Sequence, residues 1–300
     1  MVTDFGKISV IIPTSNRNEL LFSLLPRYIS QPHTCEIIIV DDASRIPVAE
    51  TLKPILEKSE IPIRVIRLEV PSYQPVARNT GIMASKGDYI FMGEDDAYPE
   101  PDHFDKLLKE ATRYGWQVIA GRLIDIWPGQ TEEHAIRRAN REGSKVFAKF
   151  LLEAYFDRKI ESPLEVPFLH TNALIRREVF NISLYDPLFA NKISFREETD
   201  FYLSLHKRGV RLGLVPNTFI FHLRGAVKRG GGIYQVSWLR KEFLIWLNEL
   251  RFERKHKDYF IKRFGILGHP LIRFPLFLTR RYPIALYRRF LWALERWRHI

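Results

Sequence analysis

The chain has 300 residues, of which 46% are hydrophobic and 27% charged, the balance of a folded chain and not of a disordered one. A single cysteine, Cys35, excludes an internal disulfide framework and a cysteine-only metal site. The net charge of +11 is concentrated, because residues 224–300 hold 18 Lys/Arg and 5 Asp/Glu while the preceding 223 residues hold 28 and 30; one region, not the whole molecule, faces something anionic.

The length predicts two domains, or one large domain with an appendage. The first residues, MVTDFGKISVIIPT, lack a basic stretch followed by a long apolar core, so no secretory signal is expected. No window reaches 18 apolar residues, so no spanning helix is expected either.

The first half alternates strand-like and helix-like segments. Ile8–Ile12 is a β-branched run stopped by Pro13, and Asn18–Ile29 reads as a helix with Pro26 near its end. Strands are expected at Glu36–Val40, Ile63–Leu68, Tyr89–Met92 and Gln117–Ile124. Helices are expected at Val48–Lys58, Val76–Ala84 and Phe104–Tyr114. This order predicts a mostly parallel sheet with helices on both faces. Further on, Glu132–Tyr155 reads as one long helix and His170–Ile175 as a strand. Thr199–Arg208 reads as a helix closed by Gly209, and Leu212–Val215 and Phe219–His222 as two strands. Beyond Gly230–Gly232, Val236–Lys257 is a basic amphipathic helix, and Phe264–Ile300 interleaves aromatic residues with arginine around three prolines.

In open α/β sheets ligands sit outside the carboxyl ends of the strands. Those ends carry Pro13-Thr14-Ser15-Asn16-Arg17, then Asp41-Asp42-Ala43-Ser44, then Gly93-Glu94-Asp95-Asp96. A carboxylate cluster such as the last is costly in mutual repulsion unless a cation joins it, and Mg²⁺ is held by one or two carboxylates together with substrate phosphates. The alternative is a solvated acidic turn or a helix N-cap.

Four segments in order, Val10-Ile11-Ile12-Pro13-Thr14 with Asn16-Arg17, Ile39-Val40-Asp41-Asp42-Ala43-Ser44, Ala77-Arg78-Asn79-Thr80-Gly81-Ile82 and Gly87-Asp88-Tyr89-Ile90-Phe91 leading to Asp95-Asp96, resemble the family 2 glycosyltransferases. The resemblance spans about Ile8 to Arg224 and implies a GT-A fold, a Rossmann-like nucleotide-diphospho-sugar transferase. It implies a catalytic domain over residues 1–225 and does not cover residues 226–300, which composition and patterning read as a basic amphipathic helical region. It further implies an inverting, metal-dependent transfer of a sugar from a nucleotide-sugar donor, UDP-linked by family habit, to an acceptor hydroxyl. By the same resemblance Pro13, Thr14, Arg17 and Asp42 belong to the nucleotide site, Arg78 lies near base or phosphates, Asp95 contacts the ribose, and Asp96 binds Mg²⁺ or Mn²⁺. The family's usual first Asp of this cluster is replaced by Gly93 or Glu94.

Phe195-Arg196-Glu197-Glu198-Thr199-Asp200 is similar to the family's acidic motif, which implies Glu198 as the base that removes the acceptor proton, with Asp200 as the alternative. These carboxylates equally suit the first turn of a helix. Asn172 borders the sugar pocket in related enzymes, or is a buried polar residue. His222 corresponds to an extra metal or phosphate ligand in some members, or is structural. Arg224, Lys228 and Arg229 with the glycines form a basic loop that either closes over the diphosphate or serves as a linker.

In Tyr287–Ile300, Tyr287, Phe290, Leu291, Leu294 and Trp297 recur at helical spacing, with arginines largely elsewhere. A basic helix of this kind fits the interface of an anionic bilayer, or packs against the protein or a second subunit. No nucleic-acid motif accompanies the charge. The expectation is a peripheral enzyme on the cytoplasmic face of the cell membrane, acting on a glycan or lipid-linked acceptor in cell-surface polysaccharide or glycolipid synthesis. A nucleotidyltransferase and a non-catalytic nucleotide-sugar binding protein are the alternatives.

Overall fold

The computed structural model describes residues 6–141, 146–148, 150, 152–224 and 236–297. The expected basic loop, Lys228, Arg229 and Gly230–Gly232, lies outside the described residues. The chain forms two compact units, Met1–Val146 with Tyr155–Leu244, and Phe147–Ala154 with Ile245–Ile300.

The first unit begins with β1 (Ile8–Thr14), α1 (Asn18–Ile29), β2 (Thr34–Asp42), α2 (Val48–Leu56), β3 (Ile63–Leu68), α3 (Tyr73–Ala84) and β4 (Tyr89–Met92). It continues with β5 (Ala97–Pro99), α4 (His103–Tyr114), β6 (Val118–Ile126) and α5 (Glu132–Arg141). β7 (Phe147–Ala148) and β8 (Glu153–Ala154) form a two-stranded ladder in the second unit, so the expected helix over Glu132–Tyr155 does not run through to Tyr155. Back in the first unit come β9 (Leu164–Glu165), β10 (Leu174–Arg176), α6 (Glu197–His206) and β11 (Leu212–Leu223).

The sheet order is β3-β2-β1-β4-β10-β6-β11-β5, with β9 also on β11. β1 pairs in parallel with β2 and β4, and β2 with β3. β10 then runs antiparallel between β4 and β6, and β5 and β9 run antiparallel to β11, so the sheet is mixed. Putting β1, β2 and β4 side by side and parallel brings their three polar carboxyl ends to one edge.

Both faces of β1 and β2 are covered, which is why these strands are almost continuously apolar. Ile8, Val10, Ile12, Ile37 and Ile39 join one core with Leu21 and Leu25 of α1, Leu52 of α2 and Leu107 of α4. Ile38 and Val40 turn to the opposite face and meet Ala77 of α3. Each such buried aliphatic side chain contributes about 1.5–3 kcal/mol. α3 lies close on the sheet because Gly81 has no side chain: a Cβ there would stand 2.4 Å from Ile11 Cγ2.

Leu212–Leu223 is one strand where two were expected. Its register on β6 shifts between Leu214 and Phe219, around Pro216, which has no N–H to give to the ladder. Gly209 adopts φ +83° and closes the turn after α6, as expected. The helix α7 (Trp238–Lys255) spans the boundary of the units; α8 (Lys257–Phe264), a turn at Gly265–Gly268 and α9 (Pro270–Trp297) follow. α9 continues through Pro275 and Pro283, and the side chains expected to form its apolar stripe, from Tyr287 on, lie outside the described residues. Among the described residues no helix is long and apolar enough to cross a membrane.

Candidate active site

The three strand ends are stitched together by side chains. Arg17 Nη1 donates to Asp95 Oδ1 (2.6 Å) and to Asp96 Oδ2 (2.9 Å), and Thr14 Oγ1 donates to Asp95 Oδ2 (2.7 Å). Ser15 Oγ donates to the carbonyl of Asp42, and the Asn16 amide to Ser44 Oγ. Asp41 is buried and receives Ser44 N, Val48 N and Arg67 Nη1, so it holds the turn after β2 and the start of α2. Beneath the acidic loop, the Tyr28 hydroxyl of α1 donates toward the carbonyls of Ala97 (2.8 Å) and Glu94 (3.1 Å) and accepts from Glu94 N.

A cavity of about 180 Å³ opens beside this edge, lined by Pro13, Thr14, Asp42, Tyr73, Lys192 and Ser194 among others. Asp42 points its carboxylate at the backbone of the opposite wall: Oδ1 accepts from Ser72 N (2.6 Å) and Oδ2 from Tyr73 N (2.9 Å). Four lining residues that are not glycine, Asn16, Ala43, Tyr73 and Ser194, have φ between +45° and +67°. Left-handed backbone costs an L-residue about 1 kcal/mol or more, and such strain gathers where a ligand site demands an unusual shape.

Across from Asp95-Asp96 lies a second group. His222, in β11, sets Nδ1 2.9 Å from Asp125 Oδ1 and Nε2 3.7 Å from Asp96 Oδ2. Arg224 Nε also meets Asp125 Oδ1 at 2.9 Å. Although burial disfavours the imidazolium, the Asp125 and Asp96 carboxylates push His222 up to about 10. Burial raises the Asp96 carboxyl, but His222 and Arg17 outweigh it and hold the group below its ordinary value. Glu94 is pushed up to about 7 by burial and by the neighbouring Asp96 charge.

The Asp96 carboxylate suits a hard divalent ion such as Mg²⁺ or Mn²⁺, and the His222 imidazole, which the neighbouring carboxylates hold protonated, could join it only on losing that proton. Among the described residues no cluster of three or more His, Cys, Asp or Glu side chains that could hold a metal ion is present.

The third group comes from α3, the approach to β10, and α6. Arg78, 2% exposed, donates from Nη1 to Glu197 Oε1 (3.1 Å) and from Nη2 to Thr171 Oγ1 (3.3 Å). It also stands over the Tyr185 ring, 5.1 Å from its centroid. Arg78 does not line the cavity beside Asp42. Thr171 Oγ1 donates in turn to Glu198 Oε1 (3.0 Å). Glu198 is half-buried, whereas Asp200 is 1% exposed. Burial and the Glu198 carboxylate push Glu197 up to about 8, against the pull of Arg78. Asn172 is fully buried and donates from Nδ2 to the Met92 carbonyl, while its Oδ1 has no hydrogen-bond partner among the described residues.

Tyr28, Thr171, Asp125 and Lys192 were not singled out in the sequence. Tyr28 reads there as one more apolar position of α1, and Asp125 and Thr171 reach the site only through pairings 97 and 27 residues away.

An α/β sheet carrying an acidic loop between a strand-edge cavity and an opposed carboxylate group is the architecture of a nucleotide-sugar-dependent transferase class, and the sequence matches one of its families. Residues 9–182, 174 of 300, match the profile of "Glycosyl transferase family 2", and the chain belongs to that family. It is 42% identical over 109 residues to the uncharacterized glycosyltransferase YwdF of Bacillus subtilis (35% of this chain, 38% of YwdF). It is 26% identical over 253 residues to the O-antigen biosynthesis protein RfbC of Myxococcus xanthus (78% of this chain, 18% of RfbC). The chain thus spans well under half the length of these curated relatives. Staphylococcus aureus TarS 1–349 in complex with UDP-GlcNAc shares its GT-A fold, with TM-score 0.58, 14% identity, and 87% and 73% of the two chains covered. GalNAc-T7 with UDP, GalNAc and Mn²⁺ shares it at TM-score 0.61 and 18% identity, over 84% of this chain and 51% of that one.

Proposed function

We propose that the protein is an inverting, divalent-metal-dependent glycosyltransferase that moves a sugar from a UDP-sugar to a hydroxyl of a glycan or lipid-linked acceptor. The proposal places this step in cell-surface polysaccharide or glycolipid synthesis, with the enzyme peripheral on the inner face of the membrane. The observation that carries the reading is the convergence of Thr14, Arg17, Asp95 and Asp96 at one strand edge, with Glu198 held by Thr171 on a separate element. TarS carrying UDP-GlcNAc and GalNAc-T7 carrying UDP and Mn²⁺ favour uridine and a divalent ion. Relatives named as a poly(ribitol-phosphate) beta-glucosyltransferase and an undecaprenyl-phosphate 4-deoxy-4-formamido-L-arabinose transferase favour a polymer or lipid-linked acceptor.

In this reading the cavity beside Asp42 and Tyr73 takes the nucleobase, and Asp95, held by Thr14 and Arg17 outside the lining of that cavity, contacts the ribose. Asp96 would hold the ion, joined by His222 once its proton is lost, with Asp125 fixing the imidazole from behind. The ion, when bound, neutralises charge that develops on the departing diphosphate. Arg17 adds positive charge at the same edge. Glu198 takes the acceptor proton; it reaches solvent, and Asp200 does not. Thr171 occupies one Glu198 oxygen and leaves the other for the acceptor. One displacement without a covalent intermediate inverts the anomeric centre.

The test is calorimetric titration of UDP, GDP and dTDP, with and without Mn²⁺, into wild type and Asp96→Ala. Metal-dependent binding of UDP alone, lost in the variant, is expected. Metal-independent binding, or binding that survives in Asp96→Ala, overturns the assignment. Pyrophosphate release from a nucleoside triphosphate in place of UDP release from a UDP-sugar points to nucleotidyl transfer instead.

A further inference from the structure

The second unit turns an apolar corner between two basic helices. At the turn between α8 and α9, Ile266 is 80% exposed, Leu267 54% and Leu271 79%. Beside it runs a groove of about 370 Å³, walled by Leu250, Leu271 and Phe274 and rimmed by Arg254, Lys257 and His269. Arg254 and Lys257 are exposed, and neither has a carboxylate partner among the described residues. Residues 253–281 contain eight Lys/Arg and two Asp/Glu, and one of those two acids, Glu253, is buried against Arg273.

We propose that this corner is a docking surface for an anionic phospholipid bilayer. Exposed leucine and isoleucine side chains at a turn are costly in water and gain free energy at the headgroup–acyl boundary. The rim sets cations at the level where lipid phosphates lie, and long Arg and Lys side chains can reach headgroups while their stems follow the apolar wall. Charge complementarity selects the anionic lipid: unpaired cations beside an apolar tip match a surface that is negative outside and apolar just beneath. A nucleic acid would use the cations and leave the tip in water. The inference rests on the reading that the acceptor is membrane-borne and names the surface that would bring the protein to it.

The experiment is co-sedimentation of the full chain with phosphatidylcholine vesicles, with and without phosphatidylglycerol, alongside UDP titration of the same preparations. Wild type is expected to bind the mixed vesicles, with binding lost on raising salt, and to leave pure phosphatidylcholine vesicles free. Leu271→Glu is expected to weaken binding about tenfold, and Lys257→Gln and Arg254→Gln about fivefold each. All three should titrate UDP as wild type does, which shows that they are folded and separates this inference from the donor-site reading. Equal binding to both vesicle types, no binding by wild type, or undiminished binding by Leu271→Glu overturns the proposal. It is also overturned if Leu271→Glu turns a dimer into a monomer, or if a single-stranded oligonucleotide binds through Lys257 and Arg254 independently of Leu271.

Discussion

At the residue scale the site is a set of polar side chains whose positions are fixed by one another. Arg78, Thr171 and Glu198 form a chain in which each hydrogen bond orients the next group. Glu198→Gln should lower kcat by roughly 10²–10⁴-fold, the usual share of a general base, with UDP affinity unchanged. Thr171→Val should cost less in kcat than Glu198→Gln, because it frees the Glu198 oxygen without removing the carboxylate. Turnover by Glu198→Gln at the wild-type rate would return the role to Asp200. His222 makes a pH-dependent contribution to stability in the metal-free protein. Its folded value of about 10 exceeds the ordinary 6.5, so the stabilisation is complete below 6.5 and declines as pH rises toward 10. The Tm difference between wild type and His222→Gln, measured in a chelator, should shrink across that window; a constant difference would show that the imidazolium is not what Asp96 and Asp125 hold. Asp96 and His222 were legible in the sequence because one follows and the other ends a recognisable apolar run, and the family resemblance supplied their role as ligands. Their partners were not, because Tyr28, Thr171 and Asp125 enter through contacts between segments that no local pattern links.

At the scale of elements, two glycines decide how closely layers approach. Gly81 lets α3 rest on β1, and Gly213 lets β11 pass the Trp116 ring: a Cβ at 213 would stand 1.8 Å from Trp116 Cε3. Gly213→Ala would normally gain a little backbone stability, under about 1 kcal/mol, from a less flexible unfolded chain. Overpacking against a buried indole costs about 1–3 kcal/mol or more and wins. Urea denaturation should therefore show a lower midpoint for Gly213→Ala, and an unchanged midpoint would mean that Trp116 moves aside freely. The repeated β-branched runs made most strands of the first half visible. β5 is only three residues long and carries no period-2 signal, whereas β11 reads in the sequence as two strands because Pro216 interrupts it. The helix expected to run to Tyr155 is described over Glu132–Arg141 only, and Phe147–Ala148 and Glu153–Ala154 of the same stretch pair with each other as a short antiparallel ladder instead.

At the scale of the whole molecule, the second unit is built around a buried ion pair. Arg273 Nε meets both Glu253 oxygens at 3.0 and 2.8 Å, and the guanidinium lies 3.8 Å from the Phe260 ring centroid. Arg273 Nη1 also donates to the Phe150 carbonyl, which ties the excursion Phe147–Ala154 into this unit. Removing one partner strands a charge out of water, so Glu253→Ala should cost about 3–5 kcal/mol, whereas an apolar pair of similar volume could be neutral. Thermal unfolding followed by near-UV circular dichroism tests this, and a loss below about 1 kcal/mol would place the pair in a wetter setting than its burial indicates. The amino-acid sequence by itself determined the alternation of strands and helices, the three polar strand ends and the family, because these are read from short periods and motifs. It also determined the basic last quarter, because charge is a sum over residues. Only the tertiary structure decided that β10 reverses inside the sheet, that residues 147–154 join the C-terminal unit, and that Tyr28, Thr171 and Asp125 support the site. Those outcomes depend on which distant surfaces bury one another, a free energy that no local stretch of sequence contains.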